Sequence, residues 1–229
     1  MGKKITGLIC GLVLLAAAAT AGAALVTIGT ATYDGDNHDY NLIWDSDNNG
    51  NSVVWLDIYH YPTEAKDWAS QKAWAESIGQ HLTYNWNPGV VVDWGTNDWR
   101  LPSIGTVTST GCNQTGSELG HLYYLELLDA EGNHLICNNN TQRGDLNATN
   151  FDHLAHGFYW TDNGKPTYTW DSWGFNNNTG KHETVPGMWG GFVLPIRTVE
   201  SVDIAPVPVP GALWLLGSGL LGLVAIRRR

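Results

Sequence analysis

Asp45, Asp47, Asn49 and Gly50 fall at the spacing in DSDNNG where a calcium-binding loop sets its first oxygen ligands and its sixth-position glycine. The twelfth position, where a bidentate glutamate should close such a loop, is Leu56. A reverse turn through Asn49 and Gly50, joining the runs NLIW and VVWLD, explains the same residues without metal and is the favoured reading. Weak Ca2+ binding at Asp45, Asp47 and Asn49 stays open beside it. His153 and His156 lie three residues apart behind Asp152, but neither HExxH nor a third ligand accompanies them, so solvent-facing loop histidines are expected. The chain has no GxSxG, no Gly-rich phosphate loop and no Cys-His pair with an orienting group, and no catalytic residue is assigned.

Aromatic residues are the more distinctive feature. Of 12 tryptophans, all but Trp214 precede the apolar C-terminal run. Trp160, Trp170, Trp173 and Trp189 cluster in sequence with Asn176, a mixture suited to saccharides: indole faces stack on sugar C–H surfaces and amides bind hydroxyls. The same tryptophans could instead fill the core of a domain poor in Leu and Ile. Arg100 in WRLP and Arg197 in LPIR each sit among apolar neighbours, the setting of an internal clamp on loop carbonyls or an acid.

Both ends carry processing signals. Lys3 and Lys4, an apolar stretch and small residues Ala21 to Ala23 make residues 1–23 a secretory signal peptide. Cys10 lies inside the apolar stretch and is not read as a lipid attachment site. Cys112 and Cys137, left after its removal, are expected to form a disulfide in an oxidising compartment. At the other end, Val209 to Ile226 is an uncharged run of 18 residues before Arg227, Arg228 and Arg229, long enough to cross a bilayer with the arginines cytoplasmic. The tail PVPVPGALWLLGSGLLGLVAIRRR resembles the PEP-CTERM sorting signal of Gram-negative bacteria, with Val209 between Pro208 and Pro210 where that family has Glu. The resemblance implies an exosortase as partner besides signal peptidase, inner-membrane anchoring before processing, and a final place at the cell surface or outside the cell.

Removing both ends leaves 7 basic against 22 acidic residues, a balance of −15. Such a domain is not expected to bind nucleic acid, and its favoured polymers are neutral or cation-bridged.

Between the signals, short apolar and aromatic runs flanked by Asn, Asp and Gly predict strands at Asn41–Trp44, Val53–Tyr59, Gly157–Thr161, Tyr168–Phe175 and Gly191–Arg197. Helices are predicted over Glu64–Ile78, stopped by Gly79, and over Glu118–Ala130, capped by Ser117. This gives an α+β domain over residues 33–202, then a Pro-rich spacer at 203–208 and the tail at 209–229. The ordered segments NLIWD, VVWLD, DWRLPS, TGSELGHLYYLEL, FYWTD, WDSWGF and GGFVLPIR resemble the Lcl C-terminal domain-like family of unknown function. That resemblance implies a C-type-lectin-like fold. The combined expectation is a non-enzymatic surface or exopolysaccharide-matrix protein with lectin-like polysaccharide binding. An extracellular enzyme on the same scaffold and a purely structural matrix component are the alternatives.

Overall fold

Leu25–Tyr33 (β1), in which β-branched residues recur, and the apolar runs within His38–Asn48 (β2) and Asn51–Leu56 (β3) form an antiparallel meander. The computed structural model describes residues 25–58, 67–128, 132–137, 150–164 and 171–205. The signal peptide, the tail from 206 onward and Trp170 lie outside these residues. Among the described residues no helix is long and apolar enough to cross a membrane.

Leu82–Trp86 (β4) pairs with β1, and Ile196–Thr198 (β9) pairs with β3, completing a five-stranded antiparallel sheet in the order β4-β1-β2-β3-β9. Both faces of this sheet are buried. Ile43, Val53 and Trp55 enter one core with Leu119, Tyr123 and Phe175, whereas Leu42, Val54 and Leu56 enter another with Ile78 and Trp99. Each such aliphatic side chain contributes about 1.5–3 kcal/mol on burial, so a one-residue slip that exchanged the faces would misplace all of them.

A second sheet consists of Phe158–Gly164 (β6), Asp171–Asn176 (β7) and Lys181–Pro186 (β8). A two-stranded ribbon pairs Val90–Asp93 (β5) with Ser201–Ile204 (β10). The arrangement is α+β: mainly antiparallel sheet with two short helices.

The first helix, α1, runs from Trp68 to Ser77, and the Asp67 carboxylate caps it by accepting the Ser70 N–H at 2.8 Å. It continues as a 3-10 turn over Ile78–His81, past the expected stop at Gly79. Glu64 to Lys66, at the predicted start, are outside the described residues. The second helix, α2, is shorter than the sequence predicts: Glu118–His121, followed by a π turn over Leu122–Glu126 that closes with Leu127 N–H donating to the Leu122 carbonyl. The wider turn places Leu122, Tyr123 and Tyr124 all in the buried interior, which a regular helix stripe would not do.

Two boundaries are corrected. β1 begins at Leu25, eight residues before the expected domain start at Tyr33, and β10 runs two residues past Val202. From Gly191 to Arg197 only the end is strand, although Phe192 makes a single bridge to Tyr159.

Candidate functional site

The WRLPS and TGSELGH segments are one structure. Arg100 donates from Nη1 and Nη2 to the two Glu118 carboxylate oxygens, each at 2.7 Å, and the Ser103 N–H donates to Glu118 Oε2 at 2.5 Å. The Glu118 N–H returns to the Ser103 carbonyl at 3.0 Å. Burial pushes the neighbouring Asp162 carboxyl above its ordinary range while the Ile104 N–H donates to it. Every donor of this cluster serves the fold, so Arg100 is a clamp between loop and helix. Arg197 is another: its Nε donates to the Asn97 carbonyl at 2.8 Å and its guanidinium lies 4.3 Å from the centre of the Trp94 ring.

Ser117 caps α2 by accepting the Gly120 N–H at 2.8 Å, and its Oγ is 2.6 Å from His182 Nε2. Ser117 and His182 are both fully buried. Burial lowers the His182 pKa from 6.5 to about 4, so the ring is neutral at pH 7. A serine beside a neutral histidine resembles a nucleophile pair, but here both side chains are buried in the interior. It supports the cap.

Of the candidate calcium-loop residues, Asp45 turns inward while Asp47, Asn49 and Gly50 stay exposed. Asp45 is fully buried and accepts from Asn48 Nδ2 at 2.9 Å, Trp55 Nε1 at 3.3 Å and the Asp47 N–H at 3.3 Å. Asp47 accepts the Gly50 N–H at 2.8 Å, and Asn49 (φ 54°) and Gly50 (φ 81°) hold the left-handed backbone of a tight hairpin turn. Asn49 donates to the Ser117 carbonyl at 3.1 Å, tying this turn to α2. These bonds engage both Asp45 oxygens and Asp47 Oδ1 in a tight turn. Among the described residues no group of three or more His, Cys, Asp or Glu side chains is placed to hold a metal ion.

Glu126 lies near Asp45 and Asp47, and burial with these like charges raises its pKa from 4.5 to about 7. His121 Nε2 is 3.4 Å from it. His153 is half-buried rather than solvent-facing, with Nδ1 at 3.4 Å from Asp57 Oδ2; His156 is exposed. Asp57 also accepts the N–H groups of Asp152, at 2.6 Å, and of His153, and burial raises its pKa from 3.8 to about 6.

Of the tryptophans singled out in sequence, two are interior and one is exposed. Trp160 is fully buried and Trp173 is 5% exposed, both in the packed interior, whereas Trp189 is 60% exposed. Trp170 is outside the described residues. Asn176 pairs with Lys181 at the turn end of β7, and Trp189 follows the far end of β8, so the two do not share a site. Asn176 spends its amide on Glu183 and on the Asn178 N–H. Cys112 and Cys137 form a disulfide.

The structure instead gathers a different aromatic group beside an open groove of about 410 Å³ lined by Glu76, Asn97, Asp98, Trp99 and Arg100. Half-buried Tyr84 and Trp86 lie parallel, 5.4 Å apart, and Trp94 bridges Trp86 and Trp99 at 5.9 and 5.8 Å. Trp99 Nε1 donates to the Tyr84 hydroxyl at 2.8 Å. The groove thus combines two acids, an amide and the Arg100 guanidinium over an aromatic cluster whose Trp99 is itself buried. The sequence concealed it because Glu76, on α1, is distant in the chain from the segment 97–100.

No curated protein and no solved structure matches the chain. A family model described as the PEP-CTERM protein-sorting motif matches residues 206–229. The chain therefore carries the signal for export through the membrane and exosortase-dependent sorting toward the surface of a Gram-negative cell.

Proposed function

We propose that the exported domain is a non-catalytic saccharide-binding module of the cell surface or exopolysaccharide matrix, and that the groove beside α1 is its binding surface. The observation that carries this reading is the groove itself: exposed Glu76 and Asp98, with half-buried Asn97, offer hydroxyl partners, while Trp99, buried beneath them, fixes the groove without presenting a face to the ligand. Its walls are preorganised, since Arg197 holds the Asn97 carbonyl and Tyr84 holds Trp99. The acidic balance of the domain suits a neutral polymer, and the lectin-like resemblance of the interior segments supports the same class of ligand. Buried Trp160 and Trp173 have no part in it.

Titration of the protein with neutral and acidic polysaccharides, followed by tryptophan emission, tests the proposal. Saturable change with a neutral polymer is expected, and Asp98→Ala should weaken binding about tenfold, the loss of about 1.4 kcal/mol that one hydrogen-bonded group supplies, with an unchanged unfolding midpoint. The absence of saturation across the panel, or equal affinity of the variant, overturns it. Binding that a chelator abolishes would move the ligand site to a bound cation.

A further inference from the structure

β10 ends at Ile204, and Ala205 donates its N–H to the Gly89 carbonyl at 2.9 Å, so the ribbon closes one residue before the sorting motif begins at 206. The apolar run starts at Val209. Three residues lie between Ala205 and Val209, so the four Cα steps span at most about 14 Å when extended. The polar layer of a bilayer is itself about 5–7 Å deep on each side. While the tail is in the membrane, the end of the ribbon is therefore held within a side chain or two of the headgroups.

The surface at that end differs from the rest of the domain. It is built from the β4–β5 turn, Asn87, Pro88 and Gly89, with Val91 and Ile204 beside it, 64% and 44% exposed. No charged side chain occurs from Leu82 to Val92, in a domain with 22 acidic residues. Asp203, opposite Val91, is the one nearby acid on β10. Half-buried Trp86 immediately precedes the turn, and tryptophan favours the membrane interface. Asn87 anchors the turn rigidly: its N–H donates to the Ile28 carbonyl and its amide to the Thr27 carbonyl.

We infer that this tip, the uncharged segment Asn87 to Val91 with Ile204 and Ala205, rests on the lipid surface before the tail is removed and sets the orientation of the domain on the membrane. The inference rests on the export reading.

The test uses the full chain in phosphatidylcholine vesicles, with Cys10→Ser throughout so that only an introduced cysteine reacts with a fluorescent label. Label at Val91→Cys should be quenched by a headgroup-attached nitroxide at least threefold more than label at Thr83→Cys, which is exposed on β4 away from the turn. Adding Ile204→Asp should reduce that quenching by half or more without shifting the unfolding midpoint. Equal quenching at Val91 and Thr83 overturns the inference, provided a label at Leu216→Cys in the tail is reached from within the bilayer. If Leu216 is not reached, the tail does not insert and the export reading falls together with the tip. If Val91 is not quenched but Val91→Asp slows removal of the tail in cells, the tip serves the processing peptidase and the lipid assignment is wrong.

Discussion

Glu118 shows how much one side chain carries: it holds both nitrogens of Arg100 and the Ser103 N–H while nearly all of its own surface is buried. Removing one member of such a pair leaves an uncompensated charge, so Glu118→Gln or Arg100→Met is expected to cost about 3 kcal/mol, read from urea unfolding. The double variant Arg100→Met/Glu118→Leu should recover much of that loss. Equal destabilisation by the double variant and the worse single one would show that packing, not the charge, matters here. The clamp was legible in the sequence because Arg100 sits among apolar neighbours that an exposed guanidinium would not need. The roles of Asp57 and His182 were not legible, since their partners His153 and Ser117 are distant in the chain and burial, not residue type, changes their protonation. Trp160 and Trp173 misled for the same reason: an indole has one composition whether it faces sugar or core.

At the level of elements, Ser117 and Asp67 are both helix caps but stand in different surroundings. Asp67 is exposed, so Asp67→Ala should cost about 1 kcal/mol. Ser117→Ala removes the cap and also the partner of His182, whose Nδ1 already has no hydrogen bond among the described residues. About 2–3 kcal/mol is expected, and unfolding curves of the two variants side by side decide it. β2 and β3 could be read from their apolar runs NLIW and VVW, and Asn49-Gly50 announced the turn between them. β1 was hidden because its apolar residues run on from the signal peptide, and β8 (KHETVP) because its sequence is polar. α2 was overextended because the apolar spacing continues through Leu127, and nothing local shows that burying Tyr124 as well requires a wider turn. The groove was illegible because pairing between distant elements creates it.

Across the whole molecule, buried ionisable groups pull stability in opposite directions with pH. His182, lowered from 6.5 to about 4, contributes stability that is full above pH 6.5 and declines as pH falls toward 4. Glu126, raised from 4.5 to about 7, imposes a cost that is full above pH 7 and is relieved as pH falls toward 4.5. Asp57, raised to about 6, acts in the same sense as Glu126. These effects partly cancel in the native protein. Glu126→Gln should therefore lose about 2 kcal/mol more than wild type between pH 7 and 4.5, and His182→Gln should change oppositely, measured by urea unfolding at each pH. Profiles parallel to wild type would show that neither group titrates as its burial implies. The disulfide acts at the same scale: it closes a 25-residue separation that contains α2, and Cys112→Ser/Cys137→Ser should cost about 3 kcal/mol.

The strand order has a consequence for the moment at which the protein becomes folded. β3 needs β9, Arg100 needs the backbone of Ile196, and β5 needs β10, so three partners come from residues 196–204. With export through a channel that the apolar run halts, as the sequence predicts, these are the last of the described strand residues to emerge. A nascent chain stalled short of Ile196 has its central sheet unfinished on one side and its ribbon unpaired. The domain thus completes itself only after almost all of it has crossed, while it is still attached at its trailing end. Folding, in effect, waits for the anchor.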